Sequence, residues 1–220
     1  MLKISNLNVS IQSVDILRDV SIQVDTASMA GLVGRNGAGK TTLIKSVMGI
    51  LKPKSGTIEF DGVDLIQTPV NLRNRLGIGY MPEDRRLIPD LTVEENILVP
   101  AWANEQIDAH KRLGYVYDLI PELRAFAPRR GQQLSGGQQK LVALGRALMI
   151  GSKLLLLDEP FEGVAPALAQ RLAEVISRLQ TEGMAVIFSE SDLQYSEHLV
   201  QKVYSIDRGA VTERPLKPRL

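Results

Sequence analysis

The first sixty residues show apolar side chains at every second position. Leu2 and Ile4 alternate with polar residues, and so do Val20, Ile22 and Val24 further along. This period of two predicts half-exposed antiparallel strands. A later stretch, "GTIEFDGVDL", continues the pattern around an Asp-Gly pair that can adopt the positive φ angles of a tight hairpin turn. The N-terminal part is therefore expected to form an antiparallel sheet.

Three later apolar runs are short and uninterrupted, and they differ from this alternating pattern. They read "MAGLVG" (29–34), "LLLL" (154–157) and "MAVIF" (184–188). Such runs are typical of parallel strands that are covered on both faces. Helical spacing separates them: apolar residues between 168 and 179 fall on one helix face, and the stretch from about 92 to 123 is mostly helical. These patterns predict an α/β fold with an antiparallel β-subdomain and an inserted helical subdomain.

Composition narrows the class of protein. The chain has 220 residues, 44% of them hydrophobic, which is enough for a buried core. Lys plus Arg (26) nearly cancel Asp plus Glu (25), so we expect no nucleic-acid partner. The absence of cysteine excludes disulfides and thiol catalysis.

No apolar stretch approaches the roughly 20 residues needed to span a bilayer, so any membrane connection is expected to come through a partner. The tail from Arg214 is expected to fray.

The clearest chemical signal is "GRNGAGKTT", which matches the pattern G-x-x-x-x-G-K-[ST] between an apolar strand and a helical run. Such a glycine-rich loop points backbone N–H groups at phosphate oxygens, and the helix N-terminus adds a partial positive charge. Lys40 is expected to reach the β- and γ-phosphates, and Thr41 to hold Mg²⁺. The other reading is a chance glycine-rich turn. The predicted ATP-binding residues are Gly34, Arg35, Asn36, Gly37, Ala38, Gly39, Lys40, Thr41 and Thr42.

A second signal is "LLLLDEP", a buried strand that ends in two carboxylates. Asp158 is placed to hold Mg²⁺, and Glu159 to act on the attacking water. Taken alone, the pair could be an ordinary strand end followed by a turn. Beside a phosphate loop, the two motifs together predict ATP and Mg²⁺ as ligands.

The stretch "LSGGQ", from Leu134 through Ser135, Gly136 and Gly137 to Gln138, forms a second anion-binding pattern. Ser135 can cap a helix whose first N–H groups the glycines leave bare. One ATP does not need two such sites. Together with "GYMPE" and "IFSESD", these motifs make the sequence resemble the ABC ATPase family over nearly its full length.

The resemblance implies a P-loop NTPase fold with a RecA-like core, in one ABC ATPase domain covering 1–220. The core and β-subdomain are expected at about 1–84 and 151–220, and the helical subdomain at about 85–150. It also implies a second ABC ATPase subunit whose ATP site this chain's signature "LSGGQ" completes. Further implied partners are transmembrane permease subunits and an extracytoplasmic solute-binding protein. The expected location is the cytoplasmic face of the membrane.

Departures from the usual family pattern point to one branch. Glu83 follows Tyr-x-Pro where most members carry Gln, and Ala165 replaces the usual Asp. Both stretches are similar to the ATPases of branched-chain amino acid and amide (urea-type) importers. The lipopolysaccharide-export ATPase is the runner-up within the family. The loop with Arg85 and Arg86 is either a permease-docking surface or a solvated charged loop.

The resemblance also implies functional roles for two further positions, Ser191 and Ile11. Ser191 stands where the family usually places a His that contacts the γ-phosphate, which predicts a slow site. Ile11 stands near the aromatic residue that usually stacks on adenine, and it is otherwise an ordinary strand residue. Glu83 is expected to sense Mg²⁺ and water. We therefore expect catalytic roles for Glu159, Glu83 and Ser191, with Thr41, Asp158 and Glu83 at the metal; the alternative is a mainly regulatory subunit.

Overall fold

The computed structural model describes residues 1–215, and within them the strands form two sheets. The first is four-stranded and antiparallel in the order β2-β1-β4-β5. Its strands are β1 (Leu2–Ile11), β2 (Val14–Val24), β4 (Ser55–Phe60) and β5 (Val63–Asp64). Buried and exposed residues alternate along β4, as the period of two predicted. Asp61 and Gly62 have φ angles of 50° and 79° at the β4–β5 turn, so the predicted hairpin is confirmed.

The second sheet has six strands in the order β10-β9-β3-β8-β7-β6. Its members are β3 (Met29–Val33), β6 (Ile78–Met81), β7 (Leu154–Asp158), β8 (Ala185–Glu190), β9 (Lys202–Asp207) and β10 (Ala210–Arg214). All neighbours are parallel except β10, which runs antiparallel to β9. Every residue of β7 and β8 is buried, because helices and the other sheet cover both faces. The predicted continuous apolar strands are confirmed.

The helices lie between strands where helical spacing was predicted, including the stretch from about 92 to 123. They are α1 (Lys40–Val47), α2 (Val70–Arg73), α3 (Val93–Trp102), α4 (Ala109–Leu119), α5 (Glu122–Ala125), α6 (Gly136–Ile150) and α7 (Pro166–Thr181). Helix α7 begins at Pro166, where the missing N–H costs nothing, and its apolar face packs into the core. Helices α3 to α6 lie between β6 and β7 along the chain.

The predicted frayed tail begins inside strand β10. Arg214 pairs with Val203 as the last residue of β10, so the prediction that the chain frays from Arg214 was wrong at that residue. Residues 216–220 of the predicted tail lie outside the described residues.

Parallel pairing brings the carboxyl ends of four strands to one edge of the sheet. Val33 pairs with Glu190, Asp158 pairs with Ser189, and Met81 pairs with Leu157. In open parallel sheets this edge is where ligands bind, because loops of variable sequence leave the strands there. The loop after β3 leads directly into α1, so the position of α1 decides where its first residue, Lys40, lies.

A buried arginine anchors the far end of α1. Arg73 is 4% exposed, and its guanidinium donates hydrogen bonds to the carbonyls of Ser46 and Val47 at the end of α1. It also donates to the carbonyls of Leu65 and Thr68. Helix C-termini leave carbonyls without partners, and a cation there both satisfies them and complements the helix dipole.

We predict that Arg73→Met lowers the free energy of unfolding by about 1.5–3 kcal/mol, because the hydrogen bonds from a charged group to these carbonyls are lost. Urea unfolding monitored by circular dichroism measures the change. Arg75→Met is the matched control, since Arg75 is exposed two residues further on. Equal effects of the two substitutions would contradict the anchoring role of Arg73.

Candidate active site

The loop between β3 and α1 has the backbone that its glycines allow. Gly37 and Gly39 have φ angles of 81° and 114°, in the left-handed region that favours glycine. Gly34 is required for a different reason: a Cβ atom there would lie 2.2 Å from the carbonyl oxygen of Ile206. Arg35, Asn36 and Gly37 are exposed at the tip of the loop. The loop therefore forms an open cradle at the N-terminus of α1, which suits an anionic group.

Lys40, the first residue of α1, is buried at the base of this cradle. Its Nζ lies 2.9 Å from Glu159 Oε1, and both side chains are about 5% exposed or less. It also donates hydrogen bonds to the carbonyls of Gly34 (2.6 Å) and Arg35 (3.3 Å). Each of the three ammonium protons thus has an acceptor: the two loop carbonyls and the carboxylate of Glu159, the residue after β7. A buried ammonium needs this degree of compensation.

Asp158 at the end of β7 collects two hydroxyl groups on one oxygen. Thr41 Oγ1 donates to Asp158 Oδ1 at 3.0 Å, and Ser189 Oγ donates to the same atom at 2.6 Å. The other oxygen, Oδ2, is buried and has no hydrogen-bond partner among residues 1–215. A buried carboxylate oxygen without a partner is costly, and it marks a position at which a cation or water would be favourable.

Glu159 has an unusual backbone and an incompletely paired carboxylate. Its φ of 51° is in the left-handed region, which is strained for a side chain with a Cβ. Its amide is hydrogen-bonded to Ser189, both to the hydroxyl and to the carbonyl at 3.1 Å. Its Oε2 is buried, and in the described part of the chain it has no hydrogen-bond partner. Burial raises the pKa of the Glu159 carboxyl above its ordinary value, and the neighbouring Lys40 opposes that shift.

The sequence interpretation overlooked Ser189. Its hydroxyl joins Asp158 to the amide of Glu159, so it orients both carboxylate residues. Ser189 is a fully buried hydroxyl in an apolar strand. A buried polar residue two positions before Ser191 was the available signal, but its partners depend on the register of β8 against β7.

The other predicted residues lie around this cluster. Ser191 donates to Asn36 Oδ1 at 3.1 Å, so it contacts the tip of the phosphate loop. Glu83 is exposed on the loop after β6, and within residues 1–215 no hydrogen bond or ion pair joins it to the cluster. Ile11, 39% exposed, pairs with Val14 at the β1–β2 turn and is not part of the hydrogen-bonded cluster.

The signature segment begins α6 as predicted. Ser135 is the N-cap: its hydroxyl accepts from the amide of Gln138 (3.3 Å), whose side chain accepts from the amide of Ser135 (3.1 Å). This reciprocal capping box fixes the helix start. Leu134 is buried beneath it, whereas Ser135 and Gly136 are exposed. The capped helix start therefore faces solvent.

The loop after Glu83 reaches this helix. Arg85 donates to Gln139 Oε1 at 3.2 Å, and its guanidinium lies beside Gly136. Arg146 of α6 donates to the carbonyls of Arg85 and Arg86, both of which have left-handed φ angles. The loop is therefore bound to α6.

Comparisons with known proteins decide the family. The profile of the ABC transporter family matches residues 17–162. The chain belongs to that family. It is an ATP-binding subunit and an ATPase, and the predicted P-loop α/β fold class is confirmed.

Two relatives and one solved structure are similar to this chain over nearly its full length. The "High-affinity branched-chain amino acid transport ATP-binding protein BraG" of Pseudomonas aeruginosa is 35% identical over 96% of this chain and 91% of its own length. The "Lipopolysaccharide export system ATP-binding protein LptB" of Haemophilus influenzae is 32% identical over 96% of this chain and 88% of its length. A nucleotide-free ATP-binding cassette from an ABC transporter superposes with a TM-score of 0.86 at 26% identity, covering 99% and 92% of the two chains.

We predict that Ser189→Ala lowers the free energy of unfolding of this ABC ATPase by about 1–3 kcal/mol, because buried Asp158 loses a short charge-assisted hydrogen bond. Thermal and urea unfolding measure the change. The matched control is Ser191→Ala, which removes an exposed hydroxyl two residues away and is expected to change stability by less than about 0.5 kcal/mol. A negligible effect of Ser189→Ala would contradict the role assigned to its hydroxyl.

Proposed function

We propose that residues Gly34 to Thr42 bind the phosphates of ATP, that Glu159 directs water to the γ-phosphate, and that hydrolysis drives solute transport across a membrane. The observation that carries this proposal is the buried contact between Lys40 and Glu159, because it brings a phosphate-binding cation and a catalytic carboxylate together under an open glycine-rich loop.

Lys40 has a defined task in this scheme. In the structure its ammonium is held by Glu159 and by two loop carbonyls. A triphosphate in the cradle offers Lys40 oxygens of higher negative charge than one carboxylate. Exchange of Lys40 from Glu159 to phosphate would free the carboxylate, and it would leave no buried cation unpaired.

Mg²⁺ fits the residues present. Thr41 Oγ1 and Asp158 Oδ2 supply a hydroxyl and an unpartnered carboxylate oxygen, which suits an ion that takes one or two protein ligands and otherwise binds phosphates and water. Bound there, the ion would neutralise charge on the β- and γ-phosphate oxygens. Glu83 is proposed as a third ligand or as a sensor of Mg²⁺. It lies two residues after the end of β6, and β6 ends at the same edge of the sheet as Asp158.

Glu159 is the proposed general base. Water attacks the γ-phosphorus, the bond to the β–γ bridging oxygen breaks, and Glu159 accepts or orients the water proton. Burial raises the pKa of Glu159, which suits a group that must take up a proton. Ser191 can donate one hydrogen bond near the loop tip but carries no charge, so we propose slow turnover.

The signature segment is proposed to complete the ATP site of a second subunit. The exposed, capped start of α6 offers N–H groups to an anion outside this chain. Two subunits would then close over two ATP molecules, and adenine would contact the region of Ile11. Because both signature segments bind phosphate only in the closed state, hydrolysis would release the closed dimer and move the permease.

We predict that Glu159→Gln lowers kcat for ATP by about 10²–10⁴, since the general base is lost. Mg²⁺-dependent phosphate release from the purified chain at high concentration is the measurement. ATP affinity should not fall, because the phosphate loop is unchanged and a neutral amide competes less strongly than a carboxylate with phosphate for Lys40. Glu105→Gln is the control, since Glu105 is exposed in the segment between α3 and α4.

A regulatory role is the alternative, motivated by Ser191 and Glu83 at positions where other residues are usual. In mixed dimers with a second ATPase, full turnover despite Glu159→Gln in this chain would favour that alternative. Lost turnover in such dimers, or in the chain alone, would support catalysis here.

Import of branched-chain amino acids or related amides is the proposed transport reaction. Its support is the similarity to BraG together with the segments around Glu83 and Ala165. The similarity to LptB favours lipopolysaccharide export as the second candidate.

Within residues 1–215 no helix could cross a membrane. We propose that permease subunits hold the chain at the cytoplasmic face, with the loop of Arg85 and Arg86 as contact, and that a solute-binding protein delivers the solute.

We predict that leucine with its binding protein raises the ATPase rate of the reconstituted complex several-fold, because the permease favours the closed dimer when loaded. The measurement uses proteoliposomes that contain this chain and the permease subunits copurifying with it, and it records ATP hydrolysis and labelled-leucine uptake together. Stimulation by lipopolysaccharide, with no response to leucine, urea or simple amides, would contradict the import proposal.

A further inference from the structure

Lys140 is a buried residue whose contacts the proposed mechanism does not use. It lies on α6, five residues after the N-cap Ser135, and is 2% exposed. Its ammonium donates to three backbone carbonyls of the loop after β7: those of Glu159 (2.7 Å), Pro160 (3.2 Å) and Glu162. Each of the three ammonium protons therefore has an acceptor in the segment 159–162.

These hydrogen bonds replace secondary structure in the loop. The segment 159–162 leaves the sheet, so its carbonyls have no strand to pair with. Lys140 satisfies three of them, while Glu190 Oε1 accepts from the amide of Phe161 at 3.2 Å. Buried backbone groups must find partners, and here the side chains of Lys140 and Glu190 supply four hydrogen bonds to the loop backbone.

Lys140 and Glu190 are ionisable side chains that are buried against the same loop. Burial lowers the pKa of Lys140, and Glu190 is the carboxylate that most opposes this shift. Burial also raises the pKa of Glu190 to about 8. A pair of ionisable side chains has thus been taken out of water to hold one short loop. A solvated loop would not need such a costly arrangement.

The loop that they hold contains the strained residue. Glu159 has its left-handed φ of 51° in the same segment, and a non-glycine residue keeps such a conformation only when its surroundings over-determine it. The amide of Glu159 is bound by Ser189 and its carbonyl by Lys140. With the peptide groups on both sides held, the carboxylate is aimed at Lys40.

Lys140 also links two functional segments of the same chain. Ser135 and Lys140 are separated by about 7.5 Å of helix at 1.5 Å per residue, so they move as one rigid unit. The start of α6 is the signature segment, and Lys140 grips the backbone of Glu159. A displacement of the signature segment is therefore transmitted to the carboxylate through three hydrogen bonds rather than through flexible chain.

We propose that Lys140 is a positioning residue for ATP hydrolysis: it holds Glu159 in its strained, productive conformation and couples that conformation to the signature segment. This inference rests on the proposed roles of Glu159 and "LSGGQ". Lys140 itself touches neither water nor phosphate in this scheme.

The test compares Lys140→Met, which keeps the length and apolar stem but removes every donor, with Lys140→Arg, which keeps the charge and donors. Lys140→Met is expected to lower kcat about 10²-fold with the ATP dissociation constant within about threefold, because a misplaced catalytic group costs rate rather than ground-state binding. Lys140→Arg is expected to recover at least about a tenth of the wild-type rate. Lys52→Met, at an exposed position, is the matched control and should retain full activity.

A second readout does not depend on hydrolysis. Amide hydrogen exchange of the peptide spanning residues 159–164 should be at least about tenfold faster in Lys140→Met, with the remainder of the protein unchanged. Unchanged exchange in this peptide, or a normal kcat in Lys140→Met, overturns the inference. Equal losses of kcat and ATP affinity that Arg does not rescue also overturn it, since they indicate a general structural role. An inactive wild type instead overturns the proposed function, and the exchange experiment still reports whether Lys140 holds the loop.

Discussion

The buried ion pair of Lys40 and Glu159 is the interaction on which the rest of this site depends. Removing two charges from water costs several kcal/mol per ion, and only close contact with further hydrogen bonds offsets that cost. The fold meets this requirement by placing the first residue of α1 against the end of β7, with Nζ 2.9 Å from Oε1. The pair is buried, yet it lies at the base of the glycine-rich phosphate cradle. A triphosphate can therefore replace the carboxylate as the partner of Lys40.

Three separate elements hold the pair in place. Helix α1 is fixed at its far end by Arg73, strand β8 contributes Ser189 beside Asp158, and helix α6 contributes Lys140 beneath the loop of Glu159. Each of these side chains is buried, and each donates hydrogen bonds to backbone carbonyls or to a carboxylate at the site or at the end of α1. The site is thus built on rigid elements, and its strained residue, Glu159, is restrained from both sides.

The local parts of the fold and site could be predicted from sequence. The glycine-rich loop, "LLLLDEP" and the capping pattern of "LSGGQ" each specify a turn, a strand end or a helix start through neighbouring residues, and the family comparison agrees. Ser189, Lys140 and Arg73 escaped prediction because their partners are distant along the chain. Those of Ser189 are 30 and 31 residues away, those of Lys140 are 19 to 22 away, and those of Arg73 are up to 27 away. Their roles depend on strand register and helix packing. A buried lysine or arginine in an apolar helix gives no local indication of which carbonyls it will meet.

The most direct measurement is a crystal structure of the wild-type chain with a non-hydrolysable ATP analogue and Mg²⁺. The account predicts that Lys40 Nζ moves within hydrogen-bond distance of a β- or γ-phosphate oxygen and leaves Glu159, whose carboxylate then faces the γ-phosphate. A bound analogue with Lys40 Nζ still in contact with Glu159 Oε1, or a nucleotide bound elsewhere, would contradict it.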